Sequence, residues 1–264
     1  MQPTPSRHHP GMPLMLLLAL IVPLIFALLY LQVVASSFRL FGLTYQQASV
    51  LLIGSLIGGM INIPLSRRRV ALADPRLADM SPAMQMLATI FHFYPPATVE
   101  EVVAVNVGGA LVPLGLSIYL LVRYPELIGL AILGVVLVAF VAKLLARPVP
   151  GLGITLPGFI PPIVAAVVAL GLARIIGSAD GMAAVGPVAY ISGALGTLIG
   201  ADLLNLPLVL RGGLLAAGPQ RFWRLGPQVP TDPRQPRVVS IGGAGVFDGI
   251  FLTGIIAAFL VQLA

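Results

Sequence analysis

The sequence predicts an all-α membrane protein, a polytopic helix bundle of about seven transmembrane helices. Apolar residues make up 58% of the 264 residues and charged residues only 9%, whereas soluble domains carry about a quarter charged residues. Seven apolar stretches are each long enough to cross a hydrocarbon core of about 30 Å. Basic residues are concentrated in alternate loops between these stretches, as membrane topology requires.

The apolar runs define the predicted helices. The first run is too long for the apolar region of an ordinary secretory signal, so we predict a membrane helix there rather than a cleaved signal. The chain has no cysteine, which excludes a disulfide scaffold, a thiol nucleophile and cysteine-ligated metal. The predicted spans lie near residues 12–34, 46–65, 102–122, 127–145, 154–176, 182–208 and 240–263.

The distribution of basic residues predicts the orientation. If the tail 1–11 is cytoplasmic, twelve of the fifteen Lys and Arg residues lie on the cytoplasmic side, and only Arg39, Arg123 and Arg174 lie outside. The positive-inside rule then predicts a cytoplasmic N-terminus and a C-terminus outside. We expect the chain in the cell inner (plasma) membrane. The net charge of +6 is explained by this topology, so we expect no nucleic-acid partner.

Two phrases recur in the same order. GSLIG at 54–58 matches GTLIG at 196–200, and VGGA at 107–110 resembles IGGA at 241–244. Polar cytoplasmic loops, 66–101 and 209–239, separate the phrases in both cases. We predict a parallel 3+3 internal repeat, with a first unit at 12–124, a linker helix at 125–147 and a second unit at 148–264. The alternative is coincidence, since glycine, leucine and alanine are abundant here.

Two aspartates within the predicted spans are candidates for chemistry, because a charge in hydrocarbon is costly and usually functional. Asp202 in the sixth span and Asp248 in the seventh lie at similar depth, on antiparallel neighbours that glycines allow to approach closely. Two adjacent carboxylates do not both ionise readily, so one keeps its proton while the other acts as a base. The predicted supporting residues are Asn205, Gly200, Gly243, Gly245, Gly249 and Asn106.

Three interpretations of this pair stay open. The first is an enzyme, an intramembrane aspartyl protease that uses the two carboxyl groups as general acid and base. The second is a proton-coupled transporter or channel, and the third is helix packing, in which each aspartate bonds an asparagine or a backbone group. We predict no cofactor and no metal site. The expected partners are the lipid bilayer and either a membrane-embedded peptide or a small solute.

Three phrases resemble a known family: NVGGALVPLGLSIYLL, GALGTLIGADLLNL and SIGGAGVFDGIFLTG. They are similar to the DUF1614 family of bacterial and archaeal membrane proteins, from about Gly54 onward. More distantly, the chain resembles the GxGD-type intramembrane aspartyl proteases, such as presenilin and the signal peptide peptidases. That resemblance implies that Asp202 and Asp248 form the catalytic pair. It is incomplete, because Ala201 replaces a tyrosine and two residues separate Gly245 from Asp248.

Overall fold

The computed structural model describes residues 12–71, 81–90, 98–149, 153–176, 181–215, 237–243 and 249–264. Within these ranges the chain is mainly helical, and each of the seven predicted spans contains a helix. The helices are α1 (Met12–Leu40), α2 (Tyr45–Gly58), α3 (Pro82–Ile90), α4 (Val112–Arg123), α5 (Ile128–Leu145), α6 (Ile160–Ile176), α7 (Gly181–Thr197), α8 (Leu206–Leu215) and α9 (Gly249–Leu260).

Two π-helical turns extend the helices at the repeated phrases. The first π-turn, Val107–Leu111, leads into α4, and the second π-turn, Leu198–Leu203, continues α7. A short 3₁₀ turn, Pro125–Leu127, precedes α5. π-helical turns are rare overall, but many of those known lie at functional sites. Each turn marks a place where the backbone departs from regular α-helical geometry.

The apolar helices indicate a membrane protein. Three helical segments among the described residues are long and apolar enough to cross a bilayer: Leu17–Leu40, Pro125–Leu145 and Val185–Leu210. Shorter apolar helices are Val107–Arg123, Ile160–Ile175 and Gly249–Leu260. Large apolar side chains along α1 and α5 are exposed, which is the arrangement expected of surfaces that face lipid rather than water.

Helix α7 is the centre of the bundle and packs against α5, α6 and α9. Small residues make this possible. A β-carbon added at Gly254 of α9 would lie 2.7 Å from the Tyr190 ring, and one added at Gly193 would lie 3.3 Å from the Gly254 Cα. The sixth and seventh predicted helices therefore do approach closely, as membrane helices do at small residues, but through glycines that the sequence analysis did not select.

The end of α1 closes this core with aromatic contacts. Phe41 meets Tyr190 edge to face, with ring centroids 5.2 Å apart. Phe38 lies beside both Phe41 and Phe251. The Ser37 hydroxyl donates to the carbonyl of Ile255 at 3.0 Å, so the last turns of α1 are bound to α9 by both packing and a hydrogen bond.

A three-stranded sheet lies beside the helices and corrects the all-α expectation. Its strands are β1 (Asn62–Ala71), β2 (Thr98–Asn106) and β5 (Arg237–Ile241), in the order β1-β2-β5. Strands β1 and β2 are antiparallel, and β2 and β5 are parallel. A separate antiparallel pair joins β3 (Arg147–Val149) to β4 (Gly153–Thr155).

Local sequence explains why the predicted spans were too long at one end. The second span was predicted to run to residue 65, but α2 ends at Gly58, and Pro64 lies in the edge strand β1, next to a register shift. Proline is disruptive inside a helix and tolerated at a sheet edge or bulge. Valine-rich runs before both Gly-Gly pairs form β2 and β5, because β-branched residues favour strands. Each of the third and seventh predicted spans therefore combined the end of a strand with the helix that follows it, β2 with α4 and β5 with α9.

The sheet bears on the predicted duplication without testing it. The parallel pairing of β2 with β5 aligns the two segments that lead into α4 and α9, which a parallel repeat would also do. The units differ after the first repeated phrase, because α2 is followed by a strand and the second π-turn by helix α8. The duplication stays a prediction.

Candidate functional site at the polar junction

Asp202 lies on the second π-turn, where its carboxylate is half-buried. Its Oδ2 accepts a hydrogen bond from the backbone amide of Gly242 at 2.6 Å. Gly242 has a φ of +79°, a left-handed conformation that favours glycine. The turn after β5 therefore presents its amide to a carboxylate 40 residues earlier in the chain.

The Gly242-Gly243 turn packs directly on the first π-turn. A β-carbon at Gly242 would lie 2.7 Å from the Ala110 Cβ, and one at Gly243 would lie 2.8 Å from the Asn106 Cβ. Neither distance accommodates a side chain. The second Gly-Gly phrase thus contacts both Asp202 and Asn106. The close packing at Gly243 explains why a glycine is required there.

Asn106 is the centre of an amide network. Its Oδ1 accepts from the amide of Gly109 at 2.8 Å and so caps the first π-turn. Its Nδ2 donates to the carbonyl of Gly59 at 2.8 Å and to Oδ1 of Asn62 at 3.2 Å. The Ser240 hydroxyl also donates to Asn62 Oδ1, at 2.6 Å. We call Asn62, Asn106, Asp202, Ser240 and Gly242 the polar junction.

Replacing Asn106 by alanine is expected to destabilise the protein by about 2 kcal/mol, because Asn106 is buried and its loss leaves the Gly109 amide and the Gly59 carbonyl without that partner. The matched control is Asn62→Ala. Asn62 is exposed, so water can replace its contacts and the change should stay below about 0.5 kcal/mol. Unfolding in detergent measures both; equal losses would contradict the central position of Asn106.

Asn205, which was predicted to support Asp202, bonds the backbone of the second π-turn and a lysine. Its Nδ2 donates to the carbonyls of Ala201 and Gly200, at 2.9 and 3.2 Å, and its Oδ1 accepts from Lys143 Nζ at 2.6 Å. Lys143 also donates to the Leu204 carbonyl at 2.8 Å. A cation at the end of a helix satisfies its last carbonyls and its dipole, so this pair stabilises the end of the π-turn that carries Asp202.

Sequence reasoning missed Lys143 as a site residue. It was counted only among the cytoplasmic cations, although a lysine in the last turn of a highly apolar helix was a usable signal. Its partner lies 62 residues away in the chain, which the sequence alone does not indicate.

The predicted glycine contacts are distributed differently from the expectation. Gly200 packs on α5 rather than on α9, since a β-carbon there would lie 2.2 Å from the Ala139 carbonyl oxygen. Gly249 has open space around the position of a β-carbon. Gly245 and Asp248 lie outside the described residues, and with them the predicted meeting of the two carboxylates. Asp202 does have the backbone partner that the packing interpretation expected, in Gly242.

No group of three or more His, Cys, Asp or Glu side chains that could hold a metal ion occurs among the residues that the structure describes. The junction instead contains amides, a hydroxyl, a carboxylate and, at its border, an ammonium group. Such groups can bind polar solutes, position water and transfer protons.

Comparison with known proteins shows the family of the chain. A family model described as "Protein of unknown function (DUF1614)" matches residues 56–260. That range contains the sheet and every member of the polar junction, and it begins within the first repeated phrase at 54–58. Neither the curated proteins nor the solved structures gave a match.

Proposed function

Since this chain belongs to the DUF1614 family, we propose that it is a membrane-embedded aspartyl hydrolase, in which Asp202 and Asp248 cleave a peptide bond of a membrane-embedded substrate. The observation that carries the proposal is the hydrogen bond from the Gly242 amide to Asp202 Oδ2. It brings the start of the segment that holds Asp248 to the carboxylate of Asp202.

Chain connectivity supports the pairing. Asp248 follows Gly242 by six residues and immediately precedes Gly249, the first residue of α9. Helix α9 packs along α7, whose continuation carries Asp202. The segment between Gly242 and Gly249 is short, so we expect Asp248 near the second π-turn.

Helix lengths support a site within the membrane. Helix α2 has 14 residues and α9 has 12, which corresponds to about 21 and 18 Å at 1.5 Å per residue. Both are shorter than the hydrocarbon core of about 30 Å. If the ends of α2 and α9 that point away from the junction lie at one membrane interface, the junction lies within the hydrocarbon core, short of the opposite interface. Non-helical backbone at that depth is tolerated where it is buried or lines a water-filled cavity.

The reaction follows from two carboxyl groups that share one proton. The ionised carboxylate takes a proton from water as the water oxygen bonds to the carbonyl carbon, while the protonated carboxyl group donates to the carbonyl oxygen. Collapse of the tetrahedral intermediate breaks the carbon–nitrogen bond. The leaving amine takes a proton from the protonated carboxyl group, while one hydroxyl group of the intermediate returns its proton to the ionised carboxylate. The products are a carboxylic acid and an amine, and the pair is left with one proton.

A second candidate is a proton-coupled carrier, which a separate observation favours. Polar groups from both predicted units meet at the junction: Asn62 and Asn106 from the first, and Asp202 and Ser240 from the second. Interrupted helices that contribute polar ends to a central site are typical of secondary transporters.

The pairing is tested by crosslinking, for which a chain without cysteine is well suited. In the double variant Asp202→Cys, Asp248→Cys, a short bifunctional thiol reagent should link the two residues in native membranes, because the aspartate carboxyl groups are expected within about 4–8 Å of each other. Mass spectrometry of the linked peptides is the measurement. The control pair Glu126→Cys, Asp248→Cys should not link, since Glu126 precedes α5 at the opposite end from Lys143. An unlinked 202–248 pair would reject the proposed site.

The chemistry is tested with Asp202→Asn and Asp248→Asn, which nearly preserve side-chain shape, and with Glu126→Gln as the matched control at an exposed carboxylate. In vesicles that contain tagged single-span peptides, each aspartate variant should abolish cleavage, because one carboxyl group cannot serve as both acid and base. Glu126→Gln should cleave normally. The carrier would be favoured by a different result. The wild-type protein would leave the peptides uncleaved but would dissipate a pH gradient across the vesicle membrane, and this dissipation would be lost in either aspartate variant.

A further inference from the structure

A groove between α2 and α4 lies at the end of the bundle away from the sheet. It has a volume of about 390 Å³ and is open on one side. Its walls are apolar except for two glutamines near the start of α2, and Val50 on the rim is exposed. It is lined by Leu43, Gln46, Gln47, Val50, Leu51, Gly115, Leu116 and Tyr119.

Two arginines lie beside the turn 41–44, whose Leu43 lines the groove. Arg39 ends α1, and the turn that follows it leads into α2. Arg123 ends α4, four residues after the groove residue Tyr119, and so lies on the same helix face. Its Nη2 lies 3.2 Å from the position of a β-carbon on Gly42, within the turn after Arg39. Both guanidinium groups therefore flank one turn.

The contacts of these arginines leave their charge uncompensated. Arg39 lies over the Tyr45 ring at 5.4 Å and bonds its hydroxyl, and Arg123 lies over the Tyr124 ring at 5.7 Å. Tyrosine partners orient a guanidinium group but carry no charge. In the described part of the chain, ion pairs occur within the sheet, and neither Arg39 nor Arg123 takes part in one.

We propose that this groove binds an anionic phospholipid, with one acyl chain along Val50, Leu51 and Leu116 and the phosphate group at Arg39 and Arg123. The apolar groove matches the acyl chain of such a lipid, and the two exposed arginines beside it match the phosphate group. Guanidinium groups bind phosphate oxygens through paired N–H donors. Tyrosines such as those beside the two arginines are enriched at the depth of the lipid headgroups. The site lies apart from Asp202 and does not depend on the proposed hydrolysis.

The headgroup part is tested by native mass spectrometry of the purified full chain with phosphatidylglycerol and, separately, with phosphatidylcholine. The wild type should prefer phosphatidylglycerol. Arg39→Gln with Arg123→Gln should weaken its binding roughly tenfold or more, because both cations that attract the charged headgroup are removed. The charge-matched control is Arg69→Gln with Arg147→Gln, two exposed arginines at the sheet end. An equal loss in the control, or no loss in the first pair, would overturn the site.

The acyl-chain part is tested by filling the groove. Gly115 lines it, and a β-carbon there meets no atom within 4 Å, so Gly115→Leu occupies the groove without displacing the fold. It should reduce phosphatidylglycerol binding several-fold without lowering the thermal midpoint of the lipid-free protein. Gly129→Leu is the matched control, at an exposed glycine of α5 with equal free space. If Gly115→Leu binds the lipid as the wild type does, the groove is not the site.

Discussion

Replacing Arg68 by methionine is expected to destabilise the protein by about 3 kcal/mol or more, measured as the free energy of unfolding in detergent. Arg68 of β1 and Glu101 of β2 are direct cross-strand partners. Arg68 Nε donates to Glu101 Oε2 at 2.7 Å. The side chain of Glu101 is only 2% exposed, against 43% for Arg68. Removing the arginine leaves a buried carboxylate without its cation and almost without water. An unpaired buried charge of this kind strongly destabilises the folded state.

The neighbouring pair supplies the control. Arg67 Nη1 lies 3.9 Å from Glu100 Oε1, and both side chains are well exposed. Arg67→Met should therefore change the free energy of unfolding by less than about 0.5 kcal/mol. The double variant Arg68→Met, Glu101→Gln should be more stable than Arg68→Met alone, because it removes the buried charge as well as its partner. A double variant that is less stable than the single one would contradict this account.

The Arg68–Glu101 pair also joins the sheet to the helices. Arg68 Nη2 donates to the carbonyl of Leu210 in α8 at 3.3 Å. Helix α8 follows the second π-turn, which carries Asp202. Loss of Arg68 should therefore loosen α8 as well as β1, and hydrogen exchange in residues 206–215 is the measurement that detects this.

Replacing Gly108 by alanine should have a comparable effect, about 3 kcal/mol, through a different mechanism. A β-carbon at Gly108 would lie 2.1 Å from the Ser55 carbonyl oxygen and 2.4 Å from the Gly59 amide nitrogen. Both are backbone atoms at the end of α2, so no rotamer change relieves the clash. The π-turn and α2 must separate, which also weakens the bond from Asn106 to the Gly59 carbonyl.

Gly115→Ala is the matched substitution on α4. A β-carbon at Gly115 meets open space, and alanine favours a helix over glycine by about 1 kcal/mol, so this variant should be as stable as the wild type or more so. The thermal midpoints of the two variants in detergent give the comparison. Similar destabilisation by both would show that the loss comes from the backbone change and not from the contact with α2.

The local sequence determined the class of the protein, the approximate positions of its helices and the importance of the two Gly-Gly phrases. Apolar content and run length suffice for this, because membrane helices satisfy their own backbone groups within one segment. The family was predicted from its phrases and is confirmed over residues 56–260. Asp202 was selected because a carboxylate in an apolar helix is costly, and that argument needs no partner to be known.

Only the tertiary structure decided how these parts meet. The strands were hidden because hydropathy joins β2 to the helix that follows it, and strand pairing depends on segments far apart in the chain. The bond from Gly242 to Asp202 and that from Lys143 to Asn205 join residues 40 and 62 positions apart. A local pattern carries no information about such contacts, because they form only when the helices pack. For the same reason the close approach of α7 and α9 at Gly193 and Gly254 could not be selected from the sequence.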